Sequence, residues 1–429
     1  MLEDLTYRDD KFYILRNLLR IQRAFGIGTS KAYEAYKIIK KQNHIACDAN
    51  TVYLKLPKEF AKPFYDVKTE YNTRIMQICI KYGIKIMTIE DENYPEKLRQ
   101  LYSPPLLLYY IGHFPDFDNI PAICVVGPRK VTEFGAKSSY SLSKRLSKAG
   151  FMIISGAAVG SDYYAHKGTL DYDGFTVGVL GCGLLYDYLP QNADLRKEIA
   201  KRGCLISEYP PFCQPGRFTF PIRNRIMAAL SDGVVVTEAG EKSGAINTAH
   251  QAVDLNKDVF VIPGGIDQPQ YKGSNLLLRE GAIPLIEFKD IFEYYNPEFG
   301  DKINIENAYS CDDKCPKFVY PPENANFKRT SSVKTHEPYV LEENEEKKDL
   351  MEILQESFKD TLSKEAKMVY NNLNKKKFTV DDLIGLDIKD EDILSALTEL
   401  EMNGFIKALP GGYYENRLRR DDNGKIGNS

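Results

Sequence analysis

No apolar run in this 429-residue chain approaches the ~20 residues that a membrane-spanning helix needs. The N-terminus, MLEDLTYRDDKFYILRNLLRIQ, breaks its apolar positions with acids and bases, unlike a secretion signal. Both absences predict a cytoplasmic protein with no membrane partner. Paired cysteine spacing is missing too. Eight cysteines are scattered, several inside apolar runs, which fits reduced thiols and speaks against a disulfide framework. Cys311 and Cys315 make half a zinc set at most, and without a second pair beside them they read as two linker thiols. Positive charge is not in excess. A net charge of −3 argues against a surface coated for duplex DNA, so any anion site has to be local. There is no internal repeat.

The length suits roughly three domains, and the texture of the chain divides accordingly. Residues 1–88 carry apolar residues at helical spacing in KFYILRNLLRIQRAFG and TRIMQICIKYGIKIM. Between them, Gly26-Ile27-Gly28 ahead of Thr29 resembles half of a helix-hairpin-helix, but Gly-x-Gly alone is weak and a plain turn with Thr29 as N-cap is the better reading. Within 89–298, β-rich runs alternate with helical ones. The strands are PAICVVG, FMIISG, TVGVLG, CLISEY, GVVVTEA and DVFVIPG, with helices starting near Phe134, Ser161, Ala193, Pro221, Ser243 and Ser274. Near-continuous apolar strands joined by helices predict an α/β fold, a doubly wound parallel sheet covered on both faces. Residues 299–348 are polar and aperiodic and read as a flexible linker. Residues 349–418 predict a small winged-helix-like domain: helices EAKMVYNNL, VDDLIGL capped by Thr379, and DEDILSALTELEMN closed by Gly404, then FIKAL and GYYEN around Pro410, Gly411 and Gly412. A polar tail, 419–429, follows.

Parallel sheets bind ligands where strand ends meet helix N-termini, so the strand ends locate the candidate site. The first, VVGPRKVTEFG, turns at Gly127 and carries Arg129, whose planar fork suits a phosphate. The second, SGAAVGSDYYAHKG, offers Ser155, Gly156, Gly160 and Ser161 as small residues with hydroxyls and free amides. Asp162 and His166 share a helix face there, but no nucleophile accompanies them, and an oriented structural pair is the better reading. The third, VLGCGLLYDYLPQN, is glycine-rich, yet the dinucleotide fingerprint with its acid is absent; NAD is not expected, and no cofactor is.

The next stretch, RFTFPIRNRIMAALSDG, sets Arg217, Phe218 and Phe220 ahead of a helix. With a start at Pro221, its buried arc comprises Ile222, Ile226, Met227, Ala229 and Leu230; Arg223 falls inside that arc and escapes burial only by reaching towards the strand mouths. Arg225 flanks the arc and Asn224 lies opposite. An aromatic between cations is what a single strand requires, a face for a base and charge for its phosphates. Ser243 and Gly244 open a further amide-rich helix.

In order and at family spacing, YPEKLRQLYSPPLLLYYIG, VVGPRKVTEFG, SGAAVGSDYYAH, GVLGCGLLYDYLPQN, ISEYP, FPIRNRIMAALSDGVVVTEA, KSGAINTA, VIPGG and GSNLLLREGA resemble the DNA-processing protein A (DprA/Smf) family over about half the chain. The resemblance implies a Rossmann-like domain flanked by an N-terminal SAM-like helical domain and a C-terminal winged helix. It also implies a non-enzymatic protein of natural transformation that binds and protects incoming single-stranded DNA, loads a RecA-type recombinase, and dimerises through the Rossmann-like domain. Arg129 then matches a phosphate-binding arginine, Arg217 the place of a DNA-contacting lysine, and Phe220 an aromatic that packs on a base. Pro128, Val159 and Ser161 depart from the family pattern, and Pro128 removes a backbone donor. Residues 387–403 hold six acids and one lysine, which would repel a major groove, so that segment reads as a protein-interaction or dimer-support element. The related lysine-decarboxylase-like proteins, which hydrolyse nucleoside monophosphates, continue Pro-Gly-Gly into Gly-Thr and a glutamate; here Pro263-Gly264-Gly265 runs into Ile266, Asp267 and Gln268. Their chemistry, or the sensing of a free nucleotide, is the alternative reading.

Overall fold

Runs of valine and isoleucine between amphipathic stretches build a nine-stranded sheet, seven of whose strands are parallel. The computed structural model describes residues 10–216 and 218–310 and, in a second unit, 363–373, 377–383, 386, 388, 392–393, 396–397, 400, 406–409 and 413–416. The chain divides into units at 1–341 and 342–429. Five helices open the first: α1 Asp10–Phe25, α2 Ser30–Lys41, α3 Ala49–Lys55, α4 Lys58–Asp66 and α5 Thr69–Lys81. Then follow β1 Lys85–Thr88, α6 Glu96–Arg99, β2 Leu107–Gly112, β3 Ala122–Val126, α7 Glu133–Lys148, β4 Met152–Ser155, α8 Ser161–Leu170, β5 Thr176–Leu180, α9 Ala193–Arg202 and β6 Cys204–Ser207. The unit continues with α10 Thr219–Leu230, β7 Gly233–Val236, α11 Gly244–Asp254, β8 Asp258–Val261, α12 Lys272–Arg279, β9 Ile283–Pro284, α13 Lys289–Phe299 and α14 Ile305–Tyr309.

The sheet order is β1-β2-β6-β5-β4-β3-β7-β8-β9. From β3 the chain winds outward through β4, β5 and β6, then α10 carries it back across to β7, on the other side of β3. Right-handed crossovers therefore place α7 to α9 on one face and α10 to α12 on the other. The order reverses between β3 and β7, the switch point at which such folds leave a crevice. On the α7 side, Ile123, Val125, Leu142, Leu146, Phe151 and Phe260 pack with Phe292 of α13 and Ala308 of α14.

Three boundaries differ from the sequence reading. The helical stretch ends at Lys81, and Lys85–Thr88 joins the sheet as β1, antiparallel to β2, which is itself antiparallel to β6. The linker does not start at 299: Asn304 N–H donates to Ala149 O, Arg145 to Ala308 O, and α14 lies against α7. Cys311 and Cys315 lie outside the described residues. In the second unit, α15 Lys364–Asn371 is capped by the Ser363 hydroxyl, and β10 Lys377–Thr379, β11 Ile406–Leu409 and β12 Tyr413–Asn416 form an antiparallel sheet in the order β10-β12-β11. Thr379 ends β10 and leads into a 3-10 turn, Val380–Leu383, where the carboxylate of Asp382 accepts from its amide and hydroxyl. Gly404, Pro410, Gly411, Gly412 and most of the acidic segment lie outside the described residues.

The α1–α2 turn fixes the N-terminal helices to the sheet. Thr29 caps α2 through Ala32 N–H, as its sequence position predicts. Gly28 has φ +69°, and a Cβ there would stand 2.8 Å from Arg225 Nη2 and 2.9 Å from Ile222 Cγ2, both on α10. The plain capped turn is thus also a packing surface. Gly28→Ala is expected to destabilise the protein by about 1–2 kcal/mol through the left-handed backbone alone, read as a lower urea midpoint with an unchanged m-value.

Candidate nucleic-acid interface

The carboxyl ends of β3, β4 and β5 open beside the start of α10, and this mouth gathers cation and ring faces. Arg129, exposed on the loop after β3, holds its guanidinium 4.9 Å from the centre of the Phe220 ring and 5.8 Å from that of Tyr188. Those two rings are 5.4 Å apart and tilted by 43°. Gly181 makes room for them, since a Cβ there would lie 2.9 Å from Phe220 Cδ1. Phe218 is 70% exposed at the same end of α10. Arg217 lies outside the described residues. Tyr188 escaped the sequence reading; its signal was the aromatic YDY following the glycine-rich strand end. The buried Arg196 donates to the carbonyls of Tyr188 and Leu189 and so positions that loop.

The other two arginines of the stretch turn inward. α10 begins at Thr219, two residues before the expected start, and is covered on both sides. Arg223 does reach the strand mouths, but it is only 6% exposed there and donates to the carbonyls of Gly156 and Val179 and to Asn224 Oδ1. It faces Asp162 across Gly156, whose missing side chain leaves space for both. Asn224, expected on the outer face, is buried and donates to Asn247 Oδ1 at 3.2 Å. Arg225 pairs with the fully buried Glu208 at 2.6 Å and donates to Ser103 O. Burial pushes the Glu208 carboxyl up, and the arginine opposes that shift. These three residues hold α10 in place, and the phosphate contacts expected of them would have to compete with those bonds.

A family model, described as DNA recombination-mediator protein A, matches residues 85–296. The DNA processing protein DprA of Bacillus subtilis is 34% identical over 220 residues, 51% of this chain and 74% of that protein. The chain belongs to this family. Protein Smf of Synechocystis is 42% identical over 201 residues, 46% of this chain and 50% of that protein. The X-ray structure of DprA from Streptococcus pneumoniae superposes with a TM-score of 0.58 at 29% identity, covering 65% of this chain and 96% of that one.

In this member of the DNA recombination-mediator protein A family, the polar residues after β4 are spent internally. Ser155 Oγ donates to Val125 O, and Ser161 N–H, expected to be free, donates to Pro128 O. Gly160, at φ +85°, admits that contact, because a Cβ there would stand 2.3 Å from Pro128 O and 2.5 Å from Arg129 O. Gly127 is needed for a similar reason: its Cβ would meet Ser161 Oγ at 2.2 Å. These glycines press the Arg129 loop onto the start of α8. Further along the edge, Ser243 caps α11 through Ala245 N–H, and Gly244 is exposed with open space around it. Glu238, fully buried at the end of β7, accepts from the Thr132 amide and hydroxyl at 3.1 and 2.7 Å. No helix among the described residues is long and apolar enough to cross a membrane.

His166 is not paired with Asp162. Its Nε2 accepts Ala157 N–H at 3.3 Å, and its Nδ1 lies 2.7 Å from Thr176 Oγ1, which itself donates to Ile153 O. That arrangement fixes a neutral ring with the proton on Nδ1. Burial, reinforced by Arg223, lowers its pKa to about 3. The unfolded chain therefore binds the extra proton first, so this contribution is complete above about pH 6.5 and is lost as the pH falls towards 3. Against His166→Gln, the native protein is expected to lose additional stability over that window, at up to about 1.4 kcal/mol per pH unit; urea melts of both proteins across the window measure the difference.

Proposed function

We propose that the protein binds single-stranded DNA at the mouth formed by Arg129, Phe220 and Tyr188, and delivers it to a recombinase without catalysing a reaction. The observation that carries this reading is the joint placement of an exposed guanidinium with two ring faces at the crevice of the sheet. A single strand offers phosphates and bare bases together, and this surface answers both. Family membership supports it, as does the name DNA processing protein carried by the Bacillus relative. The role in natural transformation, a RecA-type partner and pairing of two copies through the Rossmann-like domain follow from the family resemblance and are part of the same proposal. So are the SAM-like character of residues 1–88 and the winged-helix character of the second unit. The locked, neutral His166 supports the non-enzymatic reading, because a ring with both nitrogens bonded to the scaffold has no proton to exchange with a substrate.

Two substitutions test the mouth with a labelled oligo-dT series. Arg129→Ala is expected to weaken binding about tenfold and to lower the salt slope by roughly 0.7, one single-strand phosphate contact. Phe220→Ala is expected to weaken binding at every salt concentration by about 1–3 kcal/mol, the worth of one base–aromatic stack. Both variants should melt close to the native protein. Equal affinity in native and variant proteins, or saturation of the native site by a free mononucleotide, would overturn the proposal.

A further inference from the structure

Residues 10–84 hold fourteen lysines and arginines against six aspartates and glutamates, in a chain whose net charge is −3. The excess sits on the helices that the α1–α2 turn docks against α10. On α4, Lys58, Lys62 and Tyr65 recur at spacings of four and three and therefore share one face, and all three are exposed. Across from them, Tyr53 of α3 places its ring 4.9 Å from that of Tyr65, and Tyr53 and Tyr65 are 37% and 55% exposed. No ion pair among the described residues engages Lys58 or Lys62. Tyrosines that serve only to complete a core would not lie in water beside unpaired lysines.

The α1–α2 turn ties these helices to the helix that carries the mouth. Ile222 and Arg225, less than two turns beyond Phe220 on α10, touch Gly28. Lys31, exposed three residues further on, holds its ammonium 5.8 Å from the Phe25 ring and 5.9 Å from the ring of Phe60, which lies on the buried side of α4 opposite Lys58 and Lys62. We infer that the N-terminal helices extend the single-strand track, with Lys31, Lys58 and Lys62 meeting phosphates and the Tyr53–Tyr65 pair stacking a base. This inference rests on the single-strand reading of the mouth and adds a second segment to it. Positive charge alone would accept any polyanion; the paired exposed rings select one whose base faces are free.

The test uses the full-length protein with oligo-dT of about 6 and about 30 nucleotides, the shorter sized for one binding segment. Lys58→Ala with Lys62→Ala should leave the short oligonucleotide unaffected, weaken the long one several-fold, and reduce its salt slope by about 0.7 per lysine. Tyr53→Ala with Tyr65→Ala should weaken the long one at least about fivefold with the salt slope unchanged. Melting temperatures of both double variants should match the native protein, since all four side chains are exposed. If the native protein binds both lengths and responds to Arg129→Ala, while both double variants bind the long oligonucleotide as the native protein does, the second segment is refuted and the mouth stands. If the native protein binds neither length, the mouth reading fails and takes this inference with it.

Discussion

A guanidinium buried where two strands end organises the rest of this domain. Arg223 comes from the helix that returns the chain across the sheet, and its donors are taken by carbonyls beyond β4 and at the end of β5, with Asp162 close by. A buried cation is tolerable only when its donors are matched, so this one interaction fixes where α10 lies along the strand ends. That position decides which side chains line the mouth. Phe220, one turn ahead, is delivered to Arg129 and Tyr188, while Arg225, on the opposite side, is delivered to Glu208.

Much of the sheet was legible in the sequence because parallel strands buried on both faces are written as unbroken apolar runs. All six strands read that way are present, with helices between them. Three strands were not read: Leu107–Gly112, an apolar run that precedes the alternating region, and two that break the pattern. Lys85–Thr88 continues a helical apolar spacing and becomes a strand only because Leu107–Gly112 is there to pair with it, and Ile283–Pro284 is two residues long. Neither is specified by its own residues.

The site was legible in location more than in assignment. Strand ends and glycines pointed to one edge of the sheet, and the structure brings Arg129 and Phe220 together there. The helical wheel of α10 went astray at Asn224 and Ala228, both buried, because a wheel assumes one buried side, whereas this helix has the sheet beneath it and α11 and the α1–α2 turn around it. The amide of Ser161 was unreadable for a related reason: its acceptor, Pro128 O, belongs to another loop. Pro128 looks like a loss when only donors are counted, yet its carbonyl ties the Arg129 loop to α8.

The contact at Gly28 bears on where this protein can be cut. The stretch matched by the family model begins at residue 85, which invites a fragment of that extent as a minimal core. Such a fragment would uncover Ile222 and the flank of the Arg225–Glu208 pair, both shielded by a turn that lies outside it. It would also lose α14, which covers α7 from beyond residue 296. The portion matched by the family model is therefore smaller than the portion that folds as a unit, and a truncated form for crystallisation or solution work should begin before α1 and run past α14.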